Sequence, residues 1–169
     1  MIDLSRKLKK FGPLEFLVIS SLAYVIIMLI WTASTRSAVV QKANDIKFNH
    51  KTVVEFINNE VNECSSNEKG KTSWGEKCNS AWTSSNIVKY ILNNFKLNNP
   101  YKIEKPLIQT SQDPRIQAEG KAGQSTDKGI IFVSENNFES EAGSEWVIGT
   151  CVKSPCVAAG NNELFSAYR

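Results

Sequence analysis

Apolar positions along the chain change their period twice, and each change marks a new kind of element. From Phe11 to Trp31 the run Phe-Gly-Pro-Leu-Glu-Phe-Leu-Val-Ile-Ser-Ser-Leu-Ala-Tyr-Val-Ile-Ile-Met-Leu-Ile-Trp has no polar face and carries a single charge, Glu15. The nineteen residues from Pro13 to Trp31, as a helix, span about 28 Å, the thickness of a bilayer core. From Ala33 to Val61 there is no Gly and no Pro, and apolar residues fall at Val39, Ala43, Ile46, Val53 or Val54, Ile57 and Val61. Steps of three and four place them on one side of a helix, with Val40, Phe48 and Phe56 widening the face. One helix is therefore expected from about Pro13 to Val61, apolar all round in its first half and one-sided in its second. The lone His50 lies on the apolar stripe and reads as a packed helix residue rather than a ligand or a base.

After Val61 the period breaks. Asn62 to Trp82 is polar and reads as a loop, and a short helix follows over Ser84 to Leu97. That helix carries Ile87, Val88, Ile91 and Phe95 on one face, has Ser84 or Ser85 as N-cap, and ends at Asn98-Asn99-Pro100. Strand signals then take over at Lys105–Thr110 and, more strongly, at Gly129–Ser134. Trp146–Cys151 and Val157–Ala159 read as the arms of a hairpin around Val152–Pro155, and Leu164–Tyr168 as a last strand. Gln112–Lys128, rich in Gly, Gln, Ser and charge, reads as a loop. Short consecutive strands favour an antiparallel meander. The expected fold class is α+β: a long N-terminal helix, membrane-spanning in its first half, packed on a small antiparallel β-sheet with disulfide-bonded loops. The segments are a basic leader (1–10), a transmembrane helix (11–31), its amphipathic continuation (32–62), a connecting loop with a short helix (63–104) and a sheet region with a C-terminal disulfide loop (105–169).

Charge orients this arrangement. Arg6, Lys7, Lys9 and Lys10 against Asp3 put a net +3 directly before the apolar run, which keeps the N-terminus cytoplasmic by the positive-inside rule. Of the 20 Lys/Arg and 17 Asp/Glu, four and two precede Thr32, so sixteen and fifteen remain beyond it. The exported part is nearly neutral and gives no argument for nucleic-acid binding. The apolar run is longer than the h-region of a cleavable secretory signal and contains Glu15, so ordinary signal cleavage fits it poorly. All four cysteines, Cys64, Cys78, Cys151 and Cys156, lie in the exported part. An even number in an oxidising compartment reads as two disulfides, and of the three pairings the local one, Cys64–Cys78 with Cys151–Cys156, is favoured. The spacing is wrong for a zinc knuckle.

At Phe11-Gly12-Pro13-Leu14-Glu15, continued by Phe16-Leu17-Val18-Ile19, the chain resembles the type IV pilins and the pseudopilins of type II secretion. In that family a short basic leader precedes a Phe, and a Glu stands fifth from it. The order of long helix, connecting region, antiparallel sheet and C-terminal disulfide loop also fits. The resemblance implies a filament subunit held in the inner membrane with a periplasmic domain, then polymerised through its N-terminal helix into an extracellular pilus. Phe11 and Glu15 would be the assembly residues, and Glu15 would set register against a neighbour's α-ammonium. The implied partners are further copies of the chain, a prepilin peptidase and the pilus assembly machinery, and the inner membrane.

The leader-processing region, Lys10, Phe11, Gly12 and Pro13, departs from the family pattern: Lys10 stands where the family has Gly, and Gly12 follows Phe11. Cutting before Phe11 keeps Glu15 fifth; cutting after Gly12 makes it third. No catalytic residue, metal or cofactor is expected, since the recognisable motifs are absent, and no specific nucleic-acid partner is expected either. The alternative is a single-pass, signal-anchored periplasmic protein that binds an envelope partner and never polymerises.

Overall fold

The computed structural model describes residues 12–66, 70–101, 104–120, 128–137 and 144–168. The elements are α1 (Pro13–Ser65), α2 (Ser84–Asn94), β1 (Ile108–Thr110), α3 (Pro114–Glu119), β2 (Ile131–Asn137), β3 (Ser144–Cys151) and β4 (Asn162–Tyr168). They fall into two compact units, Met1–Val40 and Gln41–Arg169.

In the first unit α1 starts at Pro13, whose fixed φ and missing N–H suit the first helical position. Its large apolar side chains are exposed, Leu14, Phe16, Leu17, Leu22, Leu29, Ile30 and Trp31 among them. The helix is long and apolar enough to cross a membrane by length and composition. Two of its serine hydroxyls are satisfied internally, Ser20 on the Leu17 carbonyl at 3.0 Å and Ser21 on the Val18 carbonyl at 2.9 Å. These two hydroxyls are therefore already satisfied within the helix, as an apolar surrounding requires.

In the second unit α1 buries Ala43, Ile46, Asn49, His50, Val53, Ile57, Glu60, Val61 and Cys64. This is the stripe that the three-and-four spacing marks, with His50 on it. Phe48 and Val40 do not widen the buried face; both are exposed. Phe56 does pack against the core. The helix runs past Val61 to Ser65, and α2 stops at Asn94 rather than Leu97, with Phe95 already extended.

The sheet has the order β1-β2-β3-β4. β2, β3 and β4 form the expected antiparallel meander, through pairs such as Val133↔Ile148 and Ile148↔Phe165. β1 departs from it: it pairs with β2 in parallel, Ile108 facing Ile131, so the sheet is mixed. A parallel neighbour requires a crossover, and α3 lies in that crossover, within the stretch expected to be loop. Asp113 caps α3 by accepting the Arg115 N–H at 3.0 Å, Pro114 opens it, and Gly120 closes it in the left-handed conformation. The other departure is the last hairpin. Cys151 pairs with Asn162, not with Val157–Ala159, because the Cys151–Cys156 bridge turns the chain back within Val152–Asn161. Val157 is consequently exposed.

Alternation along the strands gives the sheet two faces. Ile131, Val133, Trp146, Ile148 and Ala167 share one core with Ile46, Val53 and Ile57 of α1 and Ile87 and Ile91 of α2. The opposite face receives α3, where Gly149 leaves room for the Pro114 carbonyl and Ala118; a Cβ there would lie 2.6 Å and 3.1 Å from them. Arg115 then reaches Glu145 at 2.5 Å, a carboxylate almost fully buried.

Candidate functional site

Of the residues marked out at the start of the apolar run, Lys10 and Phe11, like the whole 1–10 leader, lie outside the described residues. Gly12, Pro13 and Glu15 are described and form one device. The Gly12 N–H donates to Glu15 Oε2 at 3.0 Å, and the Gly12 carbonyl accepts the Phe16 N–H at 3.1 Å. Gly12 is thus the N-cap and Glu15, three residues on, reaches back to it as in a capping box. A carboxylate here also meets the positive end of the helix dipole. From Gly12 to Thr35 Glu15 is the sole charged residue. What the arrangement offers chemically is one anionic acceptor, held at a helix start, at the head of an exposed apolar surface.

In the second unit the structure joins Cys64 to Cys78 and Cys151 to Cys156, with Cα separations of 5.1 Å and 5.3 Å. The first bridge ties the last turn of α1 to the loop that follows. Inside that loop Glu60 of α1 accepts the Ser73 N–H at 2.9 Å and the Ser73 hydroxyl. Glu76 gathers four donors: Trp74 Nε1 and Asn86 Nδ2, each at 2.7 Å, the Thr83 hydroxyl at 3.1 Å and the Thr83 N–H at 3.2 Å. Burial alone would raise its pKa, but the bonds from Asn86, Trp74 and Thr83 outweigh that and hold it below the ordinary carboxylate value. The α2 N-cap, Thr83, makes no side-chain cap bond. Glu76 accepts its N–H, and Glu135 of β2 accepts that of Ser84, so two carboxylates from elsewhere in the chain do the capping.

His50 is buried with Nε2 3.3 Å from the Ile148 carbonyl. Burial lowers its pKa, opposed by that hydrogen bond and by the Glu163 charge. In the neutral ring Nε2 carries the proton and donates to the carbonyl, a structural role. Lys47 pairs with Glu163 at 2.8 Å on the surface beside it. Among the described residues no group of three His, Cys, Asp or Glu side chains could hold a metal ion.

Comparison with family models, with curated proteins and with solved structures finds no match.

Proposed function

We propose that the chain is a structural subunit of a type IV pilus-like filament, held in the inner membrane by the first half of α1 and polymerised through it. The observation that carries the reading is the exposed apolar surface from Leu14 to Trp31 with Glu15 at its head. Lipid covers that surface in the membrane; neighbouring helices cover it in a fibre. Removal of the basic leader deletes four cations that would otherwise have to leave the cytoplasmic side, and it creates an α-ammonium. Glu15 then has two claimants, its own Gly12 N–H and the ammonium of another subunit. Among bundled apolar helices an unpaired carboxylate is costly, so the intersubunit pair fixes axial register more than it adds net stability. The disulfides hold the exported domain together outside the cell.

The local bond to Gly12 favours a second reading, in which Glu15 is a helix cap and the chain a permanent signal anchor. A pair of substitutions separates the two. Glu15→Gln keeps the side-chain acceptor that caps Gly12 but removes the charge; Glu15→Leu removes both. If Glu15 pairs with an ammonium, both variants insert into membranes and neither appears in sheared surface fibres. If Gln assembles like the parent, the charge has no role and the register mechanism is wrong. N-terminal sequencing of fibre and membrane fractions supplies the independent check: a chain beginning at Phe11 or Pro13 marks a processed subunit, whereas Met1 retained, in membranes alone, marks the anchor.

A further inference from the structure

A cleft of about 310 Å³ opens between the Cys64–Cys78 loop and α2, lined by Trp74 from the loop and by Asn86, Lys89, Tyr90, Asn93 and Asn94 from α2. Its size lies at the lower end of small-molecule sites, about 300–1,000 Å³. Among the described residues its lining comprises two aromatic rings, three amides and one cation, with no purely aliphatic side chain.

The rings are fixed from behind. Phe56 of α1 lies parallel to Tyr90, with centroids 5.6 Å apart, and meets Trp74 edge-on at 5.9 Å. Trp74 also meets Trp82 edge-on at 5.1 Å. Three of the polar groups are held too: Glu76 accepts from the Trp74 indole N–H and the Asn86 amide, and the Asn94 amide donates to the Tyr90 carbonyl at 2.9 Å. The Cys64–Cys78 bridge closes the loop that carries Trp74. The cleft is therefore organised before any ligand enters, which lowers the cost of binding.

We propose that this cleft binds a saccharide, and specifically a ring bearing a carboxylate. A sugar ring has an apolar C–H face suited to an aromatic surface and a rim of hydroxyls that both donate and accept. Carboxamides also do both, and three of them surround the two rings. The exposed Lys89 supplies the counter-charge for a uronic acid. An apolar peptide would need aliphatic walls, and a nucleic acid would need several cations; the lining provides neither.

The test uses the full, oxidised chain in detergent micelles, so its outcome does not depend on filament assembly. Methyl glucuronide and methyl glucoside are titrated while the Trp74 indole and the Asn86, Asn93 and Asn94 side-chain amides are followed by NMR. Both sugars should give saturable shifts at these groups, the glucuronide binding about two- to fivefold more tightly, the range of one exposed ion pair. Lys89→Gln should remove that difference and leave glucoside binding unchanged. Asn93→Trp, at an exposed position, should abolish both while the Ile131–Val133 amide signals stay in place. Absence of saturable shifts with either sugar, or undiminished binding by Asn93→Trp, would overturn the site. Equal affinity for the two sugars would overturn its acidic preference.

Discussion

Gly129 stands where β2 begins, with φ near +79°, its N–H bonded to the Cys151 carbonyl at 2.8 Å. A Cβ at this position would lie 2.5 Å from Asn99 Oδ1 and 2.9 Å from both Ile46 Cδ1 and Tyr101 Cδ2. None of these can easily yield. Asn99 is buried, with Oδ1 holding the Tyr101 N–H at 2.9 Å and Nδ2 the Lys128 carbonyl at 3.2 Å. Tyr101 in turn is held by its hydroxyl to the Val152 carbonyl at 2.8 Å. Gly129→Ala therefore combines a left-handed backbone penalty of about 1–2 kcal/mol with an overpacking cost of about 1–3 kcal/mol, together about 2–5 kcal/mol. Gly75→Ala is the internal control: its φ is near +94°, yet no atom lies within 4 Å of the added Cβ, so it should lose the backbone part alone. Urea unfolding of the full chain in mild detergent, read by near-ultraviolet circular dichroism, gives both values through their midpoints. If the two variants fall within about 0.5 kcal/mol of each other, the usual error of such comparisons, the packing argument at Asn99 and Tyr101 is refuted.

Removing either disulfide by paired Cys→Ala substitution should destabilise the Gln41–Arg169 unit, Cys64–Cys78 by about 3 kcal/mol and Cys151–Cys156 by about 2 kcal/mol, since the first closes the longer loop. Denaturant titration ranks them, and the reverse order would contradict the loop-length account. For His50 the folded-state pKa lies below the ordinary value near 6.5. Below that value the unfolded chain binds a proton that the folded chain refuses, so this contribution to stability is intact above about pH 6.5 and declines as pH falls toward the folded pKa. His50→Gln should flatten unfolding midpoints across that window, and an unchanged slope would show that another group titrates there.

What could be read from the sequence was whatever depended on local period. The buried stripe Ala43, Ile46, His50, Val53, Ile57 and Val61 is a spacing rule made visible, and the meander from β2 to β4 follows from strand signals joined by short connections. Lys105–Thr110 does contain β1, but the antiparallel direction expected for it is wrong, because direction depends on whether the connection to β2 contains a crossover. The signals for that crossover helix were present as Asp113-Pro114 and Gly120, a cap, a first-turn proline and a left-handed stop. The polar composition of Gln112–Lys128 concealed them. Val157–Ala159 reads as a strand on three small apolar residues, with the Cys151–Cys156 bridge expected at the end of its hairpin; the bridge instead bends the chain between them and β3, and Asn162 pairs with Cys151. The Gly12-to-Glu15 spacing already described a helix cap, yet a carboxylate in an apolar run draws attention to distant partners first. The cleft had the weakest signal of all. Asn86, Asn93 and Asn94 share a helix face, but nothing local brings Trp74 beside them; that follows from the Cys64–Cys78 bridge and the packing of Phe56.

The buried stripe of α1 also determines how the Gln41–Arg169 unit would respond to force. A pull along α1 meets contacts spread from Ala43 to Cys64, oriented across the pulling direction and therefore loaded together in shear rather than peeled one at a time. At the far end of that stripe the Cys64–Cys78 bond passes the remaining load covalently to the loop and, through the carboxylate of Glu76, to the start of α2. Tension therefore reaches the sheet distributed over many side chains, with a covalent stop behind them.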